Sequence, residues 1–216
     1  MQVISVNVAL PREIEINGQM VSTGIFKSPV QGVVHVSKLN LDGDRQADLT
    51  VHGGVDKAVY LYPAEHYRFW EKELERQLSW AAFGENLTIA GLSETTVCVG
   101  DQLSIGDVVL QVSQPRLPCF KLAAKFQRDD IIKRFLDSRR TGYYARVINE
   151  GSLQTGDPIV VAECDSARLS IHELTDLYLV KRPDISQIQR ALSSKALATS
   201  WREHFKRLLD KLDAGV

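Results

Sequence analysis

The 216-residue chain has little cysteine: three residues, Cys98, Cys119 and Cys164, with no Cys-x-x-Cys pair. An odd and widely spaced set argues against a disulfide scaffold and against a zinc ribbon. The sequence also lacks a run of eighteen apolar residues, and its first residues contain no basic segment followed by an apolar one. We therefore expect neither a membrane helix nor a signal peptide. The expected protein is reduced and cytoplasmic.

The chain also lacks an excess of charge of either sign. Its 26 Lys and Arg residues nearly balance 27 Asp and Glu residues, which leaves a formal net charge of −1. This balance argues against a general attraction to nucleic acid or to a membrane surface, so we expect neither as a partner.

Several catalytic and ligand-binding motifs are missing as well. There is no Gly-x-Ser-x-Gly of serine hydrolases, no Gly-Lys-Ser/Thr of a Walker loop and no complete Rossmann fingerprint. Residues 42–48 begin like a calcium loop, but glycine occupies position 53, where such a loop needs its glutamate. Calcium binding is therefore not expected.

Short strand patterns separated by glycine turns run through residues 1–163. The clearest turn is Asn17-Gly18, which is typical of a β-hairpin. Two helices interrupt these patterns, one after Pro63 and one from Cys119 to about Ser138. Strands are expected at 2–8, 14–16, 20–25, 33–36, 49–51, 58–62, 86–89, 97–99, 102–105, 108–112, 143–148 and 158–162. The pattern predicts a mainly β domain, a closed or nearly closed antiparallel barrel with peripheral helices.

The pattern changes at about residue 164. Three segments resemble helix starts with a capping box, in which a small polar residue is followed three positions later by Glu or Gln. They are Ser170 with Glu173, Asp184 with Gln187, and Ser200 with Glu203. Apolar residues follow each start at helical spacing. Residues 164–216 are therefore predicted to form a small three-helix domain.

Cys119 lies in the most distinctive segment, at the end of a stiff stretch containing Pro115 and Pro118. A helical pattern begins directly after it. A thiolate at a helix start, with Arg116 and Lys121 nearby, is stabilised by the helix dipole and by both charges. A buried, unreactive cysteine is the alternative. The arrangement favours a reactive or metal-binding sulfur.

A second informative segment is His52-Gly53-Gly54-Val55-Asp56-Lys57. Adjacent glycines let the backbone approach a ligand closely and can turn successive N–H groups toward an anion. Lys57 adds a positive charge and His52 a ring donor. The alternatives are a plain glycine bulge, a Cys119–His52 nucleophile–base pair, and a zinc site made by these two residues with an aspartate.

Two other polar residues are weaker candidates. Lys27 lies in a turn before Pro29, where a lone lysine is usually a solvated side chain. Asn86 follows Gly84 and precedes a predicted strand, so its amide either caps the strand edge or hydrogen-bonds a ligand.

Together these motifs resemble the MOSC domain family, and within it the YiiM-like branch. The resemblance covers essentially the whole chain. Its motifs are Thr-Gly-Ile-Phe-Lys-Ser-Pro-Val at 23–30, Gly-Asp-Arg-Gln-Ala-Asp at 43–48, Val-His-Gly-Gly-Val-Asp-Lys-Ala-Val-Tyr at 51–60, Gly-Glu-Asn-Leu-Thr at 84–88 and Gln-Pro-Arg-Leu-Pro-Cys-Phe-Lys at 114–121. The helices after residue 164 are similar to the three-helix domain of that branch.

The resemblance implies a β-barrel that binds the molybdenum cofactor (molybdopterin), with Cys119 as a thiolate ligand of molybdenum. Related members reduce N-hydroxylated bases, and the YiiM-like branch is associated with resistance to 6-N-hydroxylaminopurine. The implied cofactor-binding residues are Lys27, His52, Gly53, Gly54, Lys57, Asn86, Arg116 and Lys121. His52 would donate a proton to the departing oxygen or hydrogen-bond the cofactor.

The expected substrate is thus a small N-hydroxylated base, and a separate reductase would supply the electrons. Two other functions stay open: a cysteine-persulfide sulfur carrier, and a non-catalytic binder of a phosphorylated ligand such as pyridoxal phosphate. For the three-helix domain we consider three roles, which are covering the site, docking the reductase and forming a homodimer contact.

Overall fold

The computed structural model describes residues 1–47 and 53–213, which form twelve strands and six α-helices. The strands are β1 Gln2–Val8, β2 Arg12–Ile16, β3 Gln19–Thr23, β4 Ser28–Val30, β5 Val34–Val36, β6 Val59–Pro63, β7 Leu87–Ala90, β8 Gln102–Ile105, β9 Val108–Pro115, β10 Tyr143–Asn149, β11 Gly151–Leu153 and β12 Ile159–Glu163. The helices are α1 Glu65–Leu74, α2 Phe120–Phe126, α3 Ile131–Ser138, α4 Ile171–Leu179, α5 Ile185–Ser193 and α6 Thr199–Asp213, and a 3₁₀ helix spans Val55–Lys57. Within these described ranges, no helix has the length and apolarity that crossing a membrane would require.

Eight of the strands form one sheet, in the order β12-β8-β9-β10-β6-β7-β1-β4. Neighbouring strands are antiparallel, as predicted, except for β6 and β7, which are parallel. Parallel neighbours need a crossover connection, and α1 provides it by returning the chain to the same end of the sheet. This one pair differs from the antiparallel pairing predicted for the barrel.

The turn before β12, at one end of this sheet, is hydrogen-bonded to the start of β1, the strand next to the other end. The N–H of Val3 donates to the carbonyl of Asp157 (2.9 Å), Gly156 N–H donates to Val3 O (2.8 Å), and Ile159 N–H donates to Met1 O (3.1 Å). These bonds join β1 to the turn that leads into β12. The sheet contributes to a core of fully buried side chains, which includes Leu61, Leu103, Leu110 and Tyr143. This arrangement fits the predicted barrel with peripheral helices.

Most of the predicted elements are confirmed, and the exceptions have local causes. The hairpin turn lies at Asn17 and Gly18, both with positive φ. The strand predicted at 97–99 is only an isolated bridge, because the Asp101 carboxylate accepts the N–H of Cys98 (2.9 Å) and turns the chain. The helix predicted over 119–138 is divided into α2 and α3 after Gln127, whose φ is +54°. The strand predicted at 49–51 lies outside the described residues.

The three C-terminal helices begin differently from one another. Ser170 forms the predicted capping box, since its Oγ accepts the Glu173 N–H (3.1 Å) and Glu173 Oε2 accepts the Ser170 N–H (2.9 Å). Asp184 caps α5 through Ser186 N–H (2.7 Å). The start predicted at Ser200 is wrong, because α6 begins at Thr199. The division of the chain into domains at 1–163 and 164–216 remains a prediction.

Replacing Ser170 with alanine is expected to lower the free energy of unfolding by about 1 kcal/mol, because an orphan N–H of the first turn loses its acceptor. Urea unfolding followed by circular dichroism measures this change. Ser200→Ala is the matched control, since Ser200 lies inside α6, and it should change stability by less than about 0.5 kcal/mol. Equal effects of the two substitutions would contradict the assignment of the cap.

Candidate functional site

A cavity of about 110 Å³ lies beside the start of α2, where loops from several parts of the chain meet. Six of the residues proposed from the sequence line it: Lys27, Lys57, Asn86, Arg116, Cys119 and Lys121. They come from four separate segments, so folding brings together side chains that are distant in the sequence. We call this space the first cavity.

Cys119 occupies the N-cap position of α2 in an extended conformation, with φ −132° and ψ 174°. Its carbonyl accepts the N–H of Leu122 (2.8 Å), which starts the helix. The side chain is half-buried and lines the first cavity. The extended conformation of Cys119 and the helix start after it confirm what the two prolines predict, and the fold places this residue at the cavity wall.

Arg116 is almost completely buried, with 4% of its surface exposed. Its backbone N–H donates to Gly142 O (3.2 Å), and its guanidinium carbon lies 5.5 Å from the ring centre of Tyr60 and 5.1 Å from that of Phe135. Among the described residues, its Nη1 has no hydrogen-bond partner. A buried charged donor without an acceptor is costly, so this group favours an anionic ligand in the cavity.

Lys27 forms an ion pair with Asp44, and both side chains are buried. Burial lowers the pKa of Lys27, and the Asp44 carboxylate opposes that shift. Asp44 also accepts the N–H of Ala9 (2.9 Å). The charge of Lys27 is thus balanced within the protein, and its role as a cofactor ligand remains a proposal.

The amide of Asn86 connects the Asp44 carboxylate to the sheet. Its Oδ1 accepts the N–H of Tyr60 (3.1 Å), and its Nδ2 donates to Asp44 Oδ2 (2.9 Å). Of the two roles that the sequence left open, the structure shows strand capping. A contact between Asn86 and a ligand stays a prediction.

Gln46, which sequence reasoning did not select, holds the glycine segment in place. Its Oε1 accepts the N–H of Gly54 (2.8 Å), and its Nε2 donates to Lys57 O (3.2 Å). Gly54 has φ +94°, a conformation that favours glycine. Lys57 lines the first cavity, but Gly53 and Gly54 do not appear among the described residues that line it. His52 lies outside the described residues, so its predicted roles, including the zinc alternative, remain predictions.

Lys121 and Lys125 lie one turn apart on α2. Lys121 Nζ donates to Ser22 O (3.0 Å), whereas Lys125 Nζ donates to Ile25 O (2.8 Å) and Ala81 O (2.6 Å). Burial lowers the pKa of Lys125 to about 8. Sequence reasoning missed Lys125, although its spacing of four residues from Lys121 places both lysines on the same helix face.

A second cavity, of about 360 Å³, lies between the barrel and helices α4 and α6. Four residues line both cavities: Lys57, Leu117, Cys119 and Tyr144. The helices contribute Tyr178, Ser200, Trp201, His204 and Arg207. Cys119 therefore lies at the junction of a cationic cavity and a cavity that the helical segment helps to form.

The helical segment is bonded to the barrel next to this junction. Asp56, adjacent to Lys57, accepts the Thr199 N–H at the start of α6 (3.0 Å) and two N–H groups of Arg146 (2.7 and 3.0 Å). Arg146 also donates to Ala196 O (2.8 Å). These bonds connect the position of α6 to the segment that carries Lys57.

Comparison with known proteins shows which family this chain resembles. The MOSC domain model matches residues 48–160, and the model named YiiM-like, 3-alpha helix domain matches residues 169–212. The chain is 43% identical to the uncharacterized protein YflK of Bacillus subtilis over 97% of this chain and 95% of that protein. It is 36% identical to a protein of Gibberella moniliformis named Reductase, over 68% of this chain and 27% of that protein.

A solved structure agrees with both matches. The crystal structure of YiiM from Geobacillus stearothermophilus superposes with a TM-score of 0.83 at 38% identity and covers 96% of this chain and 98% of that chain. The agreement includes the barrel and the helices after it. The chain therefore belongs to the MOSC domain family, in the branch that carries the YiiM-like 3-alpha helix domain.

Proposed function

We propose that this protein binds the molybdenum cofactor and reduces N-hydroxylated bases, with 6-N-hydroxylaminopurine as the representative substrate. The observation that carries the proposal is the junction of the two cavities, where Cys119 lines the same cavity as a buried arginine whose Nη1 has no partner in the described part of the chain. The relative named Reductase supports the reaction class.

The residues of the first cavity fit this cofactor. A thiolate is a soft ligand that suits a thiophilic metal, and a guanidinium suits the oxygens of the cofactor's phosphate. A volume of about 110 Å³ is smaller than typical ligand pockets. The residues of the first cavity that would hold the phosphate of the cofactor are Arg116 and Lys121, and Cys119 would hold its metal.

The reaction converts R–NH–OH, two electrons and two protons into R–NH₂ and water. When bound, the cofactor supplies the two-electron redox chemistry. Cys119 would hold the metal, and the charges of Arg116 and Lys121 would stabilise its thiolate and hold the phosphate. His52 donates one proton to the departing oxygen. A separate reductase delivers the electrons to this chain.

The proposal is tested by metal analysis of protein purified from cells that receive molybdate and make the cofactor. We expect stoichiometric molybdenum and reduction of 6-N-hydroxylaminopurine with a reduced viologen as electron donor. Protein from cells unable to make the cofactor is the control and should contain no molybdenum and be inactive. Folded protein without molybdenum, or equal turnover in the two preparations, would contradict the proposal. A persulfide on Cys119 in metal-free protein would instead favour sulfur transfer.

A further inference from the structure

The second cavity has one wall of aromatic and polar side chains from α4 and α6. We infer that this wall binds the planar heteroaromatic ring of the substrate, which makes the helical segment a determinant of substrate specificity. The inference rests on the proposed function, because it takes the reacting N–OH group to lie near Cys119.

Three aromatic rings, those of Tyr178, Trp201 and His204, form part of the wall. The ring centres of Tyr178 and Trp201 lie 5.0 Å apart, and those of Tyr178 and His204 lie 4.9 Å apart. Trp201 is 4% exposed, whereas Tyr178 is 36% exposed. Exposed aromatic surface in a cleft favours a flat aromatic ligand, because ring pairs gain from offset stacking beyond the area they bury.

The opposite side of the cavity contains a buried polar atom that lacks a partner. Gln114 on β9 is 3% exposed, and its Oε1 has no hydrogen-bond partner among the described residues. Its Nε2 makes a long contact with Pro115 O (3.4 Å). A buried acceptor without a donor is costly. An N–H group of a purine ring or of its exocyclic nitrogen supplies that donor.

His204 and Arg207 add further polar groups to the wall. Burial and the neighbouring charge of Arg207 lower the pKa of His204, so its imidazole is neutral at neutral pH. A neutral imidazole presents one donor and one acceptor, which matches the alternating N–H groups and ring nitrogens of a purine. The guanidinium of Arg207 complements a ring nitrogen acceptor.

The position of the wall fits a substrate site. The two cavities share Cys119, with the cationic cavity on one side and the aromatic wall on the other. A volume of about 360 Å³ lies within the range of small-molecule sites. A ring held against α6 would therefore lie in a cavity that Cys119 also lines. The pterin ring of the cofactor is the other flat heterocycle that this wall could hold, and the experiment separates the two.

The test measures binding of 6-N-hydroxylaminopurine by calorimetry in the wild type and in Gln114→Met and Arg207→Ala. Gln114→Met should weaken purine binding about tenfold. The melting temperature should stay equal or rise, because methionine has a shape similar to that of glutamine and lacks its buried amide. Arg207→Ala should weaken binding and raise KM. Lys206→Ala removes the same charge from the neighbouring exposed position and should bind purine as the wild type does. Molybdenum and pterin contents should be equal in all four proteins.

Unchanged purine affinity in both Gln114→Met and Arg207→Ala would overturn the inference while leaving the proposed function intact. A loss of bound pterin with unchanged purine affinity would assign the wall to the cofactor and would also overturn it. Arg207 is exposed, so its variant gives a result even if Gln114→Met does not fold. Absence of molybdenum from the wild type would contradict the proposed function instead, and purine binding at the wall could still be measured.

Discussion

Cys119→Ser is expected to abolish reduction of 6-N-hydroxylaminopurine, with a loss of at least about 100-fold, and to remove bound molybdenum. Loss of partners that only orient a metal ligand already costs 10–100-fold, so loss of the ligand itself should cost more. A serine hydroxyl is harder than a thiolate and is not ionised at neutral pH, so it binds a thiophilic metal poorly. Metal analysis and turnover with a reduced viologen measure the two effects.

The stability of Cys119→Ser separates this role from a structural one. Cys119 is the N-cap residue of α2, and its thiol makes no capping hydrogen bond to that helix. Serine is a preferred N-cap residue, so the melting temperature should stay equal or rise slightly. Cys164→Ser is the matched control, because Cys164 is exposed, and it should keep molybdenum and activity. Equal molybdenum in Cys119→Ser and wild type would exclude the thiolate as a metal ligand.

Asp44→Ala is expected to lower the free energy of unfolding by about 3–5 kcal/mol, the usual cost of breaking a buried ion pair by removing one partner. The substitution leaves the ammonium of Lys27 buried without a counter-ion. It also removes the acceptor of the Asn86 amide and of the Ala9 N–H. Since domains are stable by about 5–15 kcal/mol, this loss should be visible as a large drop in the urea midpoint.

Two further variants show whether the effect comes from buried charge. The double variant Lys27→Met/Asp44→Asn removes both charges and keeps a hydrogen-bonding side chain, so it should recover much of the stability. Asp137→Ala breaks an exposed pair with Lys133 and should cost less than about 0.5 kcal/mol. If Asp44→Ala and Asp137→Ala lower the free energy of unfolding equally, Asp44 is not the counter-ion of a buried lysine.

Much of the local structure could be predicted because it depends on neighbours in the sequence. Asn17-Gly18 adopts the positive φ angles of a hairpin turn, and Ser170 bonds Glu173 three residues later. Pro118 and the helical pattern after Cys119 predicted the cysteine at a helix start. The same local rule failed at Ser200, because the acceptor at the start of α6 is Asp56, which is 143 residues away in the sequence.

The grouping of the site residues depends on longer-range contacts. Parallel pairing of β6 with β7 follows from the way α1 packs, which residue periodicity does not encode. Lys27 was predicted as a cation for a ligand, and only the fold showed that Asp44 balances its charge. Gln46 resembled an ordinary loop residue until its bonds to Gly54 and Lys57 were visible.

The sequence by itself therefore determined the Pro-Cys segment, the helix starts that depend on adjacent residues, and the family resemblance. Backbone sterics and capping act over a few residues, and for that reason they can be read from the sequence. Only the tertiary structure decided that Arg116 is buried, with no partner for its Nη1 among residues 1–47 and 53–213, that Cys119 lines two cavities, and that α6 forms a wall of the second. Burial and partners depend on how the sheet closes and where the helices pack, and those contacts join residues that are far apart in the chain.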